Sequence, residues 1–278
     1  MGRSFDHMVE QEVTIPGRRD GVRICSARLT IDRCPLRAAV RTGLAALAAL
    51  AVSATLAACA DSTGVADDNY DIEFDFSNGQ QDWVAGFVDY PVGKETEWAL
   101  SSSLAPLPAP LNGSRKGILL TGANHSDDLF MYVTRQIGGL TPSRTHAARF
   151  LVTIATNAPR DCAGIGGAPG ESVVLKVGGT SLAPQRVVDA EQYYRASFDH
   201  GQQLRSGGAA SAIGDLANSN TNCLRPRYEL KQFDSGTTPI TITTDTSGRF
   251  WLVVGVESGF EGTTAFYITA VRVAIDPL

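Results

Sequence analysis

From Asp71 onward the chain breaks into short runs of alternating apolar and polar residues, separated by Gly, Pro, Asn and Ser. The first is Asp71-Ile72-Glu73-Phe74-Asp75-Phe76, in which three apolar side chains alternate with acids. A period of two turns one face of a strand toward a core and the other toward water. Comparable runs follow at Gly117–Thr121, Leu129–Ile137, Ala147–Thr156, Val173–Val177, Tyr193–Phe198, Tyr228–Phe233, Ile240–Thr244, Phe250–Val256 and Ala265–Ile275. β-Branched and aromatic residues dominate them, as strands require. No stretch after residue 59 sustains a 3.6-residue period with caps; only Val187–Tyr194 suggests a short helix or turn. Many short strands without intervening helices predict an all-β chain, an antiparallel β-sandwich over residues 70–278 as a single domain. Its expected core includes Ile72, Phe74, Phe150, Val152, Ile154, Val253 and Val271. Three segments are expected as long loops: Ser101–Arg115, Asn157–Glu171 and Gln202–Arg227.

The first 58 residues follow a different rule. Arg33, Arg37 and Arg41 precede an apolar stretch of Ala, Leu and Val from Leu44 to Thr55, which ends in Leu56-Ala57-Ala58-Cys59. A positive segment, a short apolar core and small residues form an export signal. A membrane-spanning helix needs ~20 apolar residues, more than this stretch offers. The run ending in cysteine resembles a bacterial lipoprotein signal. That resemblance implies cleavage before Cys59, lipid on its thiol and amino group, and an extracytoplasmic place in the cell envelope. Ala60 in the next position implies the outer membrane if the cell has one. Residues 1–32, polar and Arg-rich, are expected to be upstream sequence from a misassigned start or an extension. Residues 59–69 read as the lipidated cysteine and a flexible tether.

The residues from Cys59 onward hold 16 Lys+Arg and 24 Asp+Glu, a formal charge of −8. Such a surface is not built to neutralise phosphates, so nucleic acid is not an expected partner. Two cysteines remain after Cys59, Cys162 and Cys223, both in Gly/Ala/Asn-rich loops. In an oxidising compartment they are expected to form a disulfide, with two free thiols as the alternative.

The segment Asp75-Phe76-Ser77-Asn78-Gly79-Gln80-Gln81-Asp82-Trp83 resembles the acid-aromatic-x-x-Gly-x-x-x-Trp opening of carbohydrate-binding modules with a galactose-binding-like jelly roll. Gly117–Gly122 is similar to their early core strand, and Val133–Ile137 with Ala148–Ile154 to their central hairpin. Phe250–Val256 and Phe266–Ile275 are similar to their closing strands. The resemblance implies a jelly roll and a glycan-binding role. It places His146 where the family's hairpin has an aromatic residue, and Thr269 where the last strand supplies an acidic calcium ligand. Several segments also resemble bacterial lipoproteins of no assigned activity.

Candidate chemistry lies in the loops. Asn124-His125-Ser126-Asp127-Asp128 offers an amide, an imidazole and two carboxylates just before a strand. Oxygen-rich loops suit Ca²⁺ or sugar hydroxyls, with Asp127 and Asp128 as the calcium candidates. Asx turns capping their own backbone are the structural alternative. Glu261 lies in the glycine-bounded loop Ser258–Thr264, as an acceptor or as part of a simple hairpin. Trp98, among acidic neighbours, is the expected exposed stacking residue, with Tyr90 a weaker one; Trp83 and Trp251 are expected in the core. No cofactor other than calcium is implied. Gly164–Gly170 lacks the Gly-Lys-Ser/Thr ending of a phosphate loop. There is no Gly-x-Ser-x-Gly or Ser-x-x-Lys, and His125, His146 and His200 have no zinc-ligand spacing. A glycosidase carboxylate pair stays open among the 24 acids. Three function classes therefore stand: a non-catalytic module binding glycan or another envelope ligand, a jelly-roll polysaccharide hydrolase or lyase, and an assembly lipoprotein with an envelope protein partner.

Overall fold

The computed structural model describes residues 69–278. Cys59, the apolar leader and most of the tether lie outside the described residues. Two antiparallel sheets form a sandwich, and all strand pairings are antiparallel. The first sheet combines β1 (Tyr70–Asp75), β4 (Ser101–Pro106), β5 (Lys116–Ala123), β7 (Thr145–Thr156), β12 (Glu229–Asp234), β13 (Ile240–Thr243) and β15 (Thr263–Pro277). The second runs in the order β11 (Ala210–Asp215), β8 (Val173–Thr180), β14 (Phe250–Ser258), β6 (Leu129–Ile137), β2 (Val84–Val88). Non-consecutive neighbours such as β8–β14–β6 give the crossed connectivity of a jelly roll. Among the described residues no helix is long and apolar enough to cross a membrane.

The long strand β15 explains how seven strands share one sheet. Its Thr263–Ile268 half pairs with β5, and its Ala270–Ile275 half pairs with β1 along the same edge. A bulge at Thr269 separates the halves, where the register shifts against β7. The buried Thr269 Oγ1 donates to the Thr153 carbonyl at 3.0 Å, giving the irregular backbone a partner. The residue standing where the resembled family has an acid thus serves the bulge.

Alternating side chains from both sheets fill the core, among them Phe74, Phe150, Val152, Ile154 and Val271 as expected. Ile72 is half-buried at its margin. Two expectations are corrected by strand parity. On β14, Phe250, Leu252, Val254 and Val256 face inward, so Val253 and Trp251 face out. Val253 is buried there all the same, in a second cluster with Val88, Phe130, Tyr132 and Phe198, while Trp251 is only half-buried.

That second cluster exists because the outer face of the second sheet is roofed. A three-stranded sheet in the order β3 (Tyr90–Pro91), β10 (Tyr193–Ala196), β9 (Arg186–Val188) supplies part of the roof. The 197–209 segment supplies the rest, through Phe198 and Ala209. Val187–Tyr194 is therefore no helix: it is two strands around a turn at Asp189–Gln192. Glycines let the layer come close. A Cβ on Gly255 would lie 2.5 Å from Tyr132 Cβ, and the Tyr132 ring covers the position of a Gly86 Cβ.

Candidate functional site

Four loops meet at one end of the sandwich: 124–128 between β5 and β6, 157–172 between β7 and β8, 216–228 between β11 and β12, and 259–262 between β14 and β15. Backbone hydrogen bonds tie them together. Arg160 N–H donates to Asn220 O at 2.7 Å, Glu261 N–H to Ile165 O at 2.8 Å, and Asn124 N–H to Gly262 O at 2.9 Å. The Cys162–Cys223 disulfide, expected from the sequence, staples two of these loops across 61 residues.

The sequence-selected residues divide among three environments. Asn124 is buried, and its Nδ2 donates to the carbonyls of Ser258 (2.6 Å) and Phe260 (3.0 Å) while its Oδ1 accepts from Ser126 N–H. Both amide donors are engaged, so Asn124 clamps one loop to another. Asp127 lies beside Gly166 and Glu261, and its hydrogen bond to Glu261 is the main cause raising the Glu261 pKa above its ordinary value. Gly166 has φ +70, and a Cβ there would meet Asp127 Oδ1.

Asp128 turns the other way. Arg195 Nη1 donates to it at 3.3 Å, and burial, followed by the charges of Asp89 and Glu257, pushes its carboxyl up to about 7. Asp127 and Asp128 thus face different neighbours, and Asp128 already has a cationic partner. The two acids do not fit a shared calcium ion, and no group of three metal-ligating side chains occurs among the described residues.

Trp98 corrects the expectation of an exposed stacking residue. It is 3% exposed, edge-on to His125 at 5.4 Å and tilted against Tyr90 at 5.9 Å. Its N–H donates to Lys94 O and its carbonyl accepts from Ala123 N–H, which folds the turn inward. The acidic neighbours that suggested exposure occupy the outside. Tyr90 is likewise buried, and Trp83 is in the core, edge-on to Phe74 and Phe76.

Asp128 belongs to a charged network that sequence reasoning did not find. Lys176 and Glu257, on adjacent strands of the second sheet, have fully buried side chains and form an ion pair. Lys176 Nζ also donates to the carbonyls of His200 (2.7 Å) and Arg205 (3.0 Å), so all three of its donors are satisfied. Glu257 accepts further from Gln203 N–H. His200 lies 3.0 Å from Asp89 and 3.2 Å from Glu257, stacked on Phe130 with ring centroids 4.3 Å apart. Arg195 donates to Asp89 (2.9 Å) and Asp189 (2.8 Å). The network latches the roof segment onto the sheet, since its partners come from β8 and β14 on one side and 195–205 on the other. Lys176 and Glu257 lie at outward-facing positions of their strands, and that parity was the sequence signal available.

The network titrates. Burial lowers the His200 pKa, but hydrogen bonds and charges from Asp89 and Glu257 outweigh it and raise it from 6.5 to about 9. A group with a raised folded pKa contributes its full stability below the unfolded value and loses it as pH climbs through the folded one. The roof latch should therefore weaken between pH 6.5 and 9. Chemical denaturation at pH 6 and pH 9.5 should show the wild type losing stability and His200→Gln losing much less; equal losses would contradict the assignment. Asp128, raised from 3.8 to about 7, adds a fall of the same sign at lower pH.

At the loop end lies a cavity of about 210 Å³, lined by Asn157, Pro159, Pro169, Leu216, Phe260 and Thr264 among others. The Phe260 ring rests between Gly164 and Gly262; a Cβ on Gly164 would lie 2.5 Å from it. Thr264 is 7% exposed and its hydroxyl has no partner among the described residues. Ser126 Oγ and Glu171 Oε2 in neighbouring loops are also buried without a partner among the described residues, though neither lines this cavity.

No protein-family model matches the chain, and no curated protein matches its sequence. Among solved structures it is similar to the CBM22-1 xylan-binding domain of Paenibacillus barcinonensis Xyn10C, at 8% identity and TM-score 0.35, covering 74% of this chain and 94% of that one. It is similar to TmCBM61, solved in complex with β-1,4-galactotriose, at 12% identity and TM-score 0.32, covering 73% and 94%. The K1 cleaved adhesin domain of Lys-gingipain from Porphyromonas gingivalis matches at 12% identity and TM-score 0.32, covering 75% and 99%. At these values the likeness carries no inference about ligand or activity, and the chain stands as an antiparallel β-sandwich of jelly-roll type.

Proposed function

We propose that the sandwich is a non-catalytic module that binds a glycan or similarly hydroxylated envelope ligand at its loop end, tethered to the membrane by lipid on Cys59. The observation that carries the ligand reading is the Thr264 hydroxyl, buried in the cavity wall without a partner among the described residues. A buried polar atom without a partner costs about 1–3 kcal/mol, which a ligand bearing hydroxyl groups would relieve. The Phe260 ring and the prolines offer apolar faces to a sugar ring, and Asn157 makes no side-chain hydrogen bond with the described residues. Rigid strands with function on the loops suit this division of labour.

The enzyme reading is supported by one feature, the Asp128 carboxyl with its pKa near 7. Two carboxylates that cleave a glycosidic bond flank open space about 5–9.5 Å across. Asp128 instead hydrogen-bonds directly to Glu257, which has no exposed side-chain surface. That geometry supports a latch over a reaction centre.

Screening the purified protein on a glycan array should give binding without product formation, and Phe260→Ala with Thr264→Val should weaken it at least tenfold. Turnover of a polysaccharide would favour the hydrolase or lyase; silence in both assays would favour a protein partner. The tether has its own test. Expression with labelled palmitate should label the wild type, and Cys59→Ala should carry no label; a labelled mutant would remove the lipid reading.

A further inference from the structure

A second cavity, of about 260 Å³, opens on the far side of the roof, between β2 and the 184–186 segment. Its walls are Ala85, Gly86, Phe87, Tyr132, Pro184 and Arg186. The Tyr132 side chain lies flat across the outer face of the sheet, over Gly86 and Gly255, stacked on Phe130. The residue is 3% exposed, yet its hydroxyl hydrogen-bonds to no described residue. Burial pushes its pKa up to about 12, so the hydroxyl is a neutral group that can donate. The charge of Arg186, which shares the cavity wall, opposes that shift, and the charge of Asp89 adds to it.

Arg186 is held in a defined plane. Its guanidinium lies 3.7 Å from the centre of the Tyr194 ring, and its Nη1 donates to Tyr90 Oη and to Glu95 at 3.4 Å. Nε and Nη2 have no partner among the described residues. That pair of parallel donors is the edge that matches an oxyanion with two hydrogen bonds. The side chains therefore offer one guanidinium edge, which only donates, and one phenol, which can donate as well as accept. Phe87 and Pro184 supply apolar surface beside them.

We propose that this cavity is a second glycan subsite, which holds a pendant oxyanion of an acidic polysaccharide, a uronate carboxylate or a sulfate ester, on Arg186 and Tyr132. The paired guanidinium donors favour an acceptor-only group, which both of these oxyanions are, and the phenol can add a third donor to it. The proposal rests on the glycan reading above but uses different residues. General ionic adsorption does not imitate it, because the chain from Cys59 onward carries a formal charge of −8 and repels polyanions as a whole.

The test is affinity electrophoresis of the full-length protein in detergent through gels containing dextran, dextran sulfate, galactan or polygalacturonate. Retardation by dextran sulfate or polygalacturonate is expected, the polymer that retards naming the oxyanion. Arg186→Gln should weaken it at least tenfold, and Tyr132→Phe several-fold while preserving the buried ring. Arg186→Lys should restore only part of the loss, because a point charge lacks the two-donor edge. Circular dichroism on each variant checks folding, and Tyr132→Phe keeps the test decisive if an Arg186 variant is unstable. Acidic polymers that fail to retard the protein, or that retard wild type and variants equally, overturn the proposal. If dextran or galactan still binds in that case, the glycan reading survives alone; if no polymer binds, both fall.

Discussion

Lys176→Met should destabilise the domain by roughly 3–5 kcal/mol, the cost of removing one partner from a buried ion pair. The side chain has no exposed surface, and methionine fills similar volume while leaving Glu257 with His200 as its only charged partner and the His200 and Arg205 carbonyls without a donor. For a domain of this size each kcal/mol moves the melting temperature by about 2–4 °C, so a loss of ten degrees or so is expected. Glu257→Gln in the same background should recover part of it, since the buried charge that lost its lysine partner is then gone. Because the pair latches 197–209 to the sheet, proteolysis should cut first within that segment in the single variant. A melting temperature within two degrees of wild type would show that the network contributes little.

Cys162→Ser should cost about 4 kcal/mol if the bond acts by restricting the unfolded chain, given the 61 residues between the two cysteines. Denaturant titration of the oxidised and reduced protein measures it directly. The loss should reach function as well. Cys223 lines the loop-end cavity, and the bond joins the 157–172 and 216–228 loops that wall it. Reduction should therefore weaken ligand binding under conditions where the far-ultraviolet spectrum is unchanged. Unaltered affinity after reduction would separate the staple from the site.

The parts of the fold legible in the sequence and the parts that were not differ in one physical respect. The strands that alternation predicts, such as β1, β6, β7, β14 and β15, supply the buried faces of the sandwich. The strands it misses, β2, β3, β4, β9 and β11, all lie at sheet edges. Two of them, β4 with Ser101-Ser102-Ser103 and β11 with Ala210-Ser211-Ala212, carry weak β preference, and β2, β3 and β9 are too short to show a sustained alternation. The neighbouring strand's hydrogen-bond ladder makes them strands. Parity set the same limit at the site. Trp98 looked exposed because Glu95 and Glu97 flank it, but in a turn the flanking side chains need not share its direction. Lys176 and Glu257 passed unnoticed because charged residues at outward positions suggest a wetted face, and a roof built from other segments of the chain is invisible to local pattern. The disulfide was legible, and so was the placing of Asn124, Asp127 and Glu261 on loops; the gathering of those loops, and the division of Asp127 from Asp128 between two environments, were not, because both depend on contacts between segments far apart in the chain.

Mapping a bound oligosaccharide onto the protein by amide chemical-shift perturbation tests the central claim most directly. With any ligand that the glycan screen yields, the largest shifts should fall on 156–158, 216, 260 and 263–265, and should vanish in Phe260→Ala. Shifts confined to other faces, with these residues unmoved, would contradict a binding site at the loop end.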